Sequence, residues 1–263
     1  MHLFLEMNSY DVLQTEQQAY EGGKAFGKFQ RLLSDMDASL LIETIPNFHN
    51  IKIRLDRFIL AIEADVVNRV RNSGPEISFL LERADQMSAI LELAQSGKFP
   101  LRIIHNDTKF NNVLLDSNDK GQCVIDLDTV MPGYVAYDFW DAIRTIINTG
   151  LEDEKDICKI RLNIPLFKAY TVGYFKEAGS FSSEPEVESL LSGVMLMPYE
   201  QSVGFLTDYI EGDIYYKIQF PEHNLQRTRA QIQLLRKLEE NDQTLREIVH
   251  RVAFLPIHED DLH

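Results

Sequence analysis

The sequence predicts an α+β chain that is mostly helical and carries one small hairpin-rich sheet. Three observations lead there. Apolar residues recur at helical spacing over much of the first hundred positions. Three short β-type runs crowd between Pro100 and Asp126. From Tyr137 onward the pattern is helical throughout.

Each element follows from its residues. His2-Leu3-Phe4-Leu5-Glu6 reads as the end of a strand, within a short leading segment over residues 1–12. Ala19, Gly23, Phe26, Phe29 and Leu33 share one face of a first helix. Gly22, Gly23 and Gly27 each cost about 1 kcal/mol against Ala inside a helix, which points to close packing on a second helix. Pro46, Asn47, His49 and Asn50 mark a loop over 37–50. Helices near 51–72 and 75–96 follow, the second opened by Pro75 and closed by Ser96-Gly97. Residues 101–104, 113–115 and 122–125 read as three strands of one small sheet, with a turn cluster over 116–121. Further helices are predicted near 137–148, 164–178, 184–197, 198–211 and 224–240, and 256–263 is a charged tail.

Composition narrows the function classes. At 263 residues, 44% hydrophobic and 25% charged, the chain can bury roughly 70–75% of its unfolded surface without disulfide or metal staples. A formal charge of −15 repels phosphate backbones and anionic lipid, so neither nucleic acid nor a membrane surface is an expected partner. Cys123 and Cys158 cannot form a disulfide framework and read as buried thiols of a reducing compartment. No run approaches the ~20 apolar residues of a membrane helix, and the first residues lack the basic region of a signal peptide. The expectation is a soluble cytoplasmic protein.

The chemistry concentrates at strand ends. His105-Asn106-Asp107-Thr108-Lys109-Phe110-Asn111-Asn112 lies between the first and second strands, and Asp126-Leu127-Asp128 ends the third. Asp107 and Asn112 have the spacing of the phosphoryl-transfer loop H-x-D-x-x-x-x-N. In that scheme Asp107 takes the proton of the attacking hydroxyl, Lys109 reaches the transferring phosphate, and His105 braces the loop. Asn112 and Asp126 supply the hard oxygen ligands that Mg²⁺ prefers, completed by the phosphates of ATP. Asp128 either joins the metal or substrate or forms a salt bridge. The histidines show no zinc spacing; His49 and His223 read as surface residues, and the acidic run 151–156 as a solvated loop.

These residues resemble the aminoglycoside phosphotransferase/choline kinase family, a branch of the protein-kinase-like fold. HNDTKFNNVLLD, VIDLDTVMPG, YDFWDAIRT, FLTDYIEGDIYYKI, YEGGKAFGKFQRLL and ETIPNFHN are most similar to the N-acetylhexosamine 1-kinase group. The resemblance implies a mostly helical C-terminal lobe over 13–255. It also implies ATP, Mg²⁺ and a small-molecule sugar acceptor phosphorylated at its anomeric hydroxyl. Tyr215 falls where that group has a tyrosine near the sugar. Asp138 and Arg144 fall where a structural acid and base recur, read as an ion pair holding the catalytic loop.

Three departures from the pattern shape further expectations. The sequence shows no glycine-rich phosphate loop and no strand lysine, so residues 1–12 read as an interlobe hinge remnant. The nucleotide lobe is then expected to precede Met1 or to come from a separate polypeptide. Gly204 stands where the group carries an arginine facing the sugar. Trp140 stands where it has glycine, and is expected to fill the space left by that arginine. Two alternatives stay open: a non-catalytic remnant that binds a sugar or a partner, and a kinase for another small alcohol such as choline or an aminoglycoside. The latter requires an acidic acceptor pocket.

Overall fold

The computed structural model describes residues 7–98 and 100–255. Residues 1–6 of the expected hinge remnant and the tail 256–263 lie outside the described residues.

The first helix, α1 (Glu16–Leu32), begins at Thr15, whose hydroxyl accepts from Gln18 N–H. It packs on α6 (Ile164–Ala178) so closely that a Cβ on Gly23 would stand 2.1 Å from the Tyr170 carbonyl oxygen. A Cβ on Gly173 of α6 would stand 2.0 Å from the Tyr20 oxygen, so the glycines serve this crossing from both sides.

The expected helix 51–72 is shorter. Asn50 caps α2 (Ile51–Ala64), and Asp65 ends it in the left-handed region with φ 35°. The Asp65 carboxylate then accepts from Arg69 and Val70 N–H, four and five residues on, a side-chain-to-backbone closure that competes with another helical turn. The expected helix 75–96 is two helices, α3 (Gly74–Leu81) and α4 (Ala84–Gln95). At the break, the Arg83 guanidinium lies 3.6 Å over the Phe79 ring and donates to the Phe79 carbonyl.

The sheet also differs from expectation. β1 (Arg102–Ile104) pairs antiparallel with an unforeseen strand, β4 (Met131–Gly133), in register Ile103↔Pro132. Pro132 disguises β4 in the sequence, because proline is tolerated only on an edge such as this. β2 (Val113–Leu115) pairs with β3 (Gly121–Val124), with a bulge at Leu114/Leu115. There are thus two separate two-stranded ladders. Residues 105–112 connect β1 to β2 and 125–130 connect β3 to β4, so both polar clusters become bridges between the same two ladders. Asn8 adds a backbone bridge to Leu115.

The remaining helices are α5 (Val135–Ile146), α7 (Glu184–Gly193), α8 (Leu196–Glu211) and α9 (His223–Phe254). α9 outruns its expected end at 240, because Leu245, Val249 and Val252 extend the buried stripe. The core joins α5 and α6 through aromatic rings, with Phe139 5.2 Å from Tyr174 and 5.7 Å from Tyr170. Among the described residues, no helix is long and apolar enough to cross a membrane. Cys123 is partly exposed and Cys158 exposed, so neither is a buried thiol.

Candidate active site

The loop after β1 is held from behind by α5. Asp138 is buried; its carboxylate accepts from His105 N–H at 2.9 Å, Asn106 N–H at 2.8 Å and Gln30 Nε2 at 2.8 Å. One turn on, Asp141 accepts from Thr108 N–H at 2.9 Å. Asn106 takes a positive φ of 66°, a conformation that asparagine tolerates better than most residues. The carboxylates thus grip the backbone at 105, 106 and 108 and leave residue 107 between them. Burial pushes the Asp138 carboxyl up, and the hydrogen bonds donated to it pull the other way. Gln30 also accepts from the Tyr174 hydroxyl at 2.6 Å, which ties the loop to the aromatic core.

His105 fixes the two bridges to each other. Its Nδ1 receives the Asp107 N–H at 3.3 Å, so Nε2 donates to the Ile125 carbonyl at 2.9 Å. Thr129 Oγ1 donates to the His105 carbonyl, Asn106 Nδ2 to the Thr129 carbonyl and Ile125 N–H to the Asn112 carbonyl. Buried and flanked edge-on by Phe26 and Phe29, His105 is a brace.

Asp107 is half-buried, and its two oxygens differ. Oδ2 accepts from Asn112 Nδ2 at 3.1 Å and pairs with Lys109 Nζ at 2.9 Å, whereas Oδ1 has no partner among the described residues. Asn112 Nδ2 also donates to the Asp107 carbonyl at 2.8 Å, which leaves the amide oxygen for another ligand. Burial alone would lower the Lys109 pKa; Asp107, Asp126 and Asp141 outweigh it and hold the ammonium above its usual value. Asp126 is exposed, with φ 63°, and makes no hydrogen bond or ion pair among the described residues. Asp128 is likewise exposed, without the salt bridge considered for it. The uncommitted Asn112 oxygen and Asp126 carboxylate fit Mg²⁺, which takes one or two protein oxygens and fills its remaining positions with phosphate and water. Among the described residues no group of three or more His, Cys, Asp or Glu side chains forms a metal cluster.

Three other expectations change. Arg144 pairs with Asp141 at 3.0 Å and Glu152 at 3.3 Å, because Asp138 is already saturated by N–H donors. Trp140 lies away from Gly204 and cannot fill its space. Its indole covers Gly193, donates to the Leu190 carbonyl at 3.2 Å and lines neither of two nearby cavities. His49 and His223 are buried against Glu200 and Asp153, so neither is a surface histidine, and Asp153 ties the acidic run to α9.

The larger cavity, about 500 Å³, is lined by Gly204, Tyr215, Tyr216, Arg54, Glu200 and Asp208 among others. The smaller, about 180 Å³, includes Asn106 and shares the wall at Ile45, Asn47, Phe48 and His49. Asp107, Asn112 and Asp126 line neither. Gly204 and the 74% exposed Tyr215 therefore share a cavity wall, apart from the loop residues.

Sequence reading gave no individual role to Asp141, Gln30, Asn106 or Arg54. The first two carried a signal: a carboxylate within the apolar stripe of α5 and an amide one turn after Phe26 on α1 need buried partners.

A helical body, two short ladders and an acid–amide–lysine loop define a kinase-like phosphotransferase. Residues 4–168 match the phosphotransferase enzyme family (APH), and the chain belongs to that family. Its fold resembles a choline kinase from Cryptosporidium parvum Iowa II, with TM-score 0.53 and 16% identity over 90% of this chain and 70% of that one. It also resembles a Plasmodium vivax ethanolamine kinase, with TM-score 0.52 and 13% identity over 85% of this chain and 62% of that one. The chain thus spans less than two thirds of the second kinase's length. At these identities the likeness is one of fold.

Proposed function

We propose that this chain forms the catalytic lobe of a sugar kinase that transfers the γ-phosphate of ATP to a hydroxyl. By sequence resemblance the acceptor is the anomeric hydroxyl of an N-acetylated hexosamine. The observation that supports this most is the asymmetry of Asp107. One oxygen is pinned by Asn112 and Lys109, while the other is unpartnered in a half-exposed loop. A general base needs this arrangement: an oriented carboxylate with a lone pair left for the incoming proton.

Asp107 Oδ1 would take the proton from the acceptor hydroxyl as its oxygen attacks the γ-phosphorus and the bond to the β-phosphate oxygen breaks, releasing ADP. Lys109 stays protonated at neutral pH and offsets charge on the transferring phosphoryl group. Asn112 orients Asp107 through its amide nitrogen. Asn112 Oδ1 and Asp126 would hold Mg²⁺, which when bound neutralises phosphate charge. The clamps from Asp138 and Asp141 keep the loop from reorganising during the reaction.

The test is ADP release with Mg-ATP and a panel of N-acetylglucosamine, N-acetylgalactosamine, glucose and choline, using the longest reading frame that contains this chain. Asp107→Asn should reduce turnover by about 10²–10⁴-fold and leave Tm unchanged. Wild-type turnover by this variant would end the assignment.

A further inference from the structure

The wall of the larger cavity contains a charged side chain that the reaction does not use. Arg54 projects from α2, and its Nη2 donates to the Phe48 carbonyl at 2.6 Å and pairs with Glu200 at 3.1 Å. Its Nη1 lies 3.7 Å from the point where a Cβ on Gly204 would stand, and the Tyr216 hydroxyl lies 3.0 Å from the same point. Glycine at 204 therefore leaves room for the guanidinium and the phenol to meet over α8. Glu200, which holds Arg54, is fully buried and accepts from His49 Nδ1 at 3.3 Å. His49 in turn is 8% exposed and rests on Tyr137 and Phe48. The guanidinium is thus braced from a buried carboxylate and a buried ring.

The cavity's other charged groups already have partners within the protein. Asp208 accepts the backbone N–H groups of Ile214, Tyr215 and Tyr216 and an Asn224 Nδ2 hydrogen. Arg57 pairs with Glu211. No carboxylate among the described residues of this wall remains free to meet a cationic ligand. Instead the wall offers a braced guanidinium edge and phenol hydroxyls, which suit carbonyl and hydroxyl oxygens, and the guanidinium disfavours a quaternary ammonium placed beside it.

We propose that Arg54 is the specificity-determining residue of the acceptor site, selecting a neutral, oxygen-rich acceptor and rejecting cationic amino alcohols. This rests on the phosphoryl-transfer reading only in calling the cavity's ligand the acceptor. Glu200 and His49 act as positioning residues, and Gly204 provides the space.

The test is calorimetric titration of the full chain, without nucleotide, using N-acetylglucosamine and choline chloride as probes. Wild type should prefer N-acetylglucosamine. Arg54→Met should weaken it at least tenfold and shift the preference toward choline by more than that. Arg54→Lys should still exclude choline but bind the hexosamine poorly, because a point charge replaces the planar fork. Arg54→Met leaves the buried Glu200 with His49 alone, so Arg54→Met with Glu200→Gln provides a second, charge-balanced background in which the same shift is expected. A wild type that prefers choline or binds neither probe overturns the proposal, as does an unchanged preference in both backgrounds. Asp107→Asn should titrate like wild type while losing turnover. Wild-type turnover by Asp107→Asn with Arg54-dependent selectivity would sink the phosphoryl-transfer reading alone; lost turnover in Asp107→Asn with unchanged selectivity in both Arg54 backgrounds would sink this proposal alone.

Discussion

Two loops in this molecule are held by the same device, a buried carboxylate that collects consecutive backbone N–H groups. Asp138 holds the loop after β1 at 105 and 106; Asp208 holds the cavity wall at 214, 215 and 216. The donors differ in their surroundings. His105 and Asn106 are buried, whereas Ile214 and Tyr215 are 72% and 74% exposed. If its carboxylate were removed, the first loop would have no water to replace it, and the second would. On the proposed function, one loop would serve as a fixed reaction frame and the other as a wall able to adjust to its ligand.

The comparison breaks most visibly at Asp138. Asp138→Ala strands three buried donors, each costing about 1–3 kcal/mol, for a total near 4 kcal/mol after partial relaxation. At about 2–4 °C per kcal/mol for a domain of this size, Tm should fall by roughly 10 °C. Turnover should fall even at temperatures where the variant is folded, since Asp107 loses its frame. Scanning calorimetry and the ADP-release assay check both. A variant that melts like wild type would show that the loop is held by other contacts, with Asp141 and His105 the first to examine.

The fixed frame was the more legible of the two regions. Asp107, Lys109 and Asn112 lie within six positions of one another, so their chemistry is written as a local spacing. Asp126 follows from the end of a strand. What fixes them is remote: Gln30 lies 108 positions from Asp138, and Asp141 lies 33 from Thr108. Such pairings are set by the α1–α6 crossing and the docking of α5, which no local pattern encodes. The glycines of α1 announced a close crossing without naming its partner. The cavity was read less well, because Arg54 reaches Gly204 from a helix whose apolar pattern gave no hint of it. Trp140 was misplaced for the same reason: its large apolar face is satisfied by Gly193 in the core, not by a vacancy on α8.

Asp208→Ala sharpens the contrast. It removes as many backbone contacts as any carboxylate here, yet the exposed donors at 214 and 215 regain water. The expected cost is about 2 kcal/mol, half that of Asp138→Ala. Amide exchange at 214–216 should accelerate while 105–108 stays protected. With the wall loosened, KM for the acceptor should rise while kcat is largely kept, the reverse of the Asp138 variant. Equal losses in kcat and kcat/KM would mean that the wall takes part in the reacting geometry.

The smallest effect concerns the sign of two acid titrations. Burial would raise the Glu200 pKa, but His49, Arg54 and Arg144 outweigh it and hold the carboxyl below its usual value. Its stabilising contribution is therefore complete above the unfolded carboxylate range, about 4.3, and is lost as pH falls through the lower folded value. Asp138 runs the other way: its folded value is raised, so its contribution is greatest in acid and is lost as pH rises through that value. Glu200→Gln should therefore flatten the decline of Tm on acidification, and Asp138→Asn should steepen it. Both substitutions also lower absolute stability, so the slope is the readout. Parallel acid limbs in wild type and both variants would show that neither carboxyl changes its protonation differently on folding, and that the two loops are held by geometry without a charge difference.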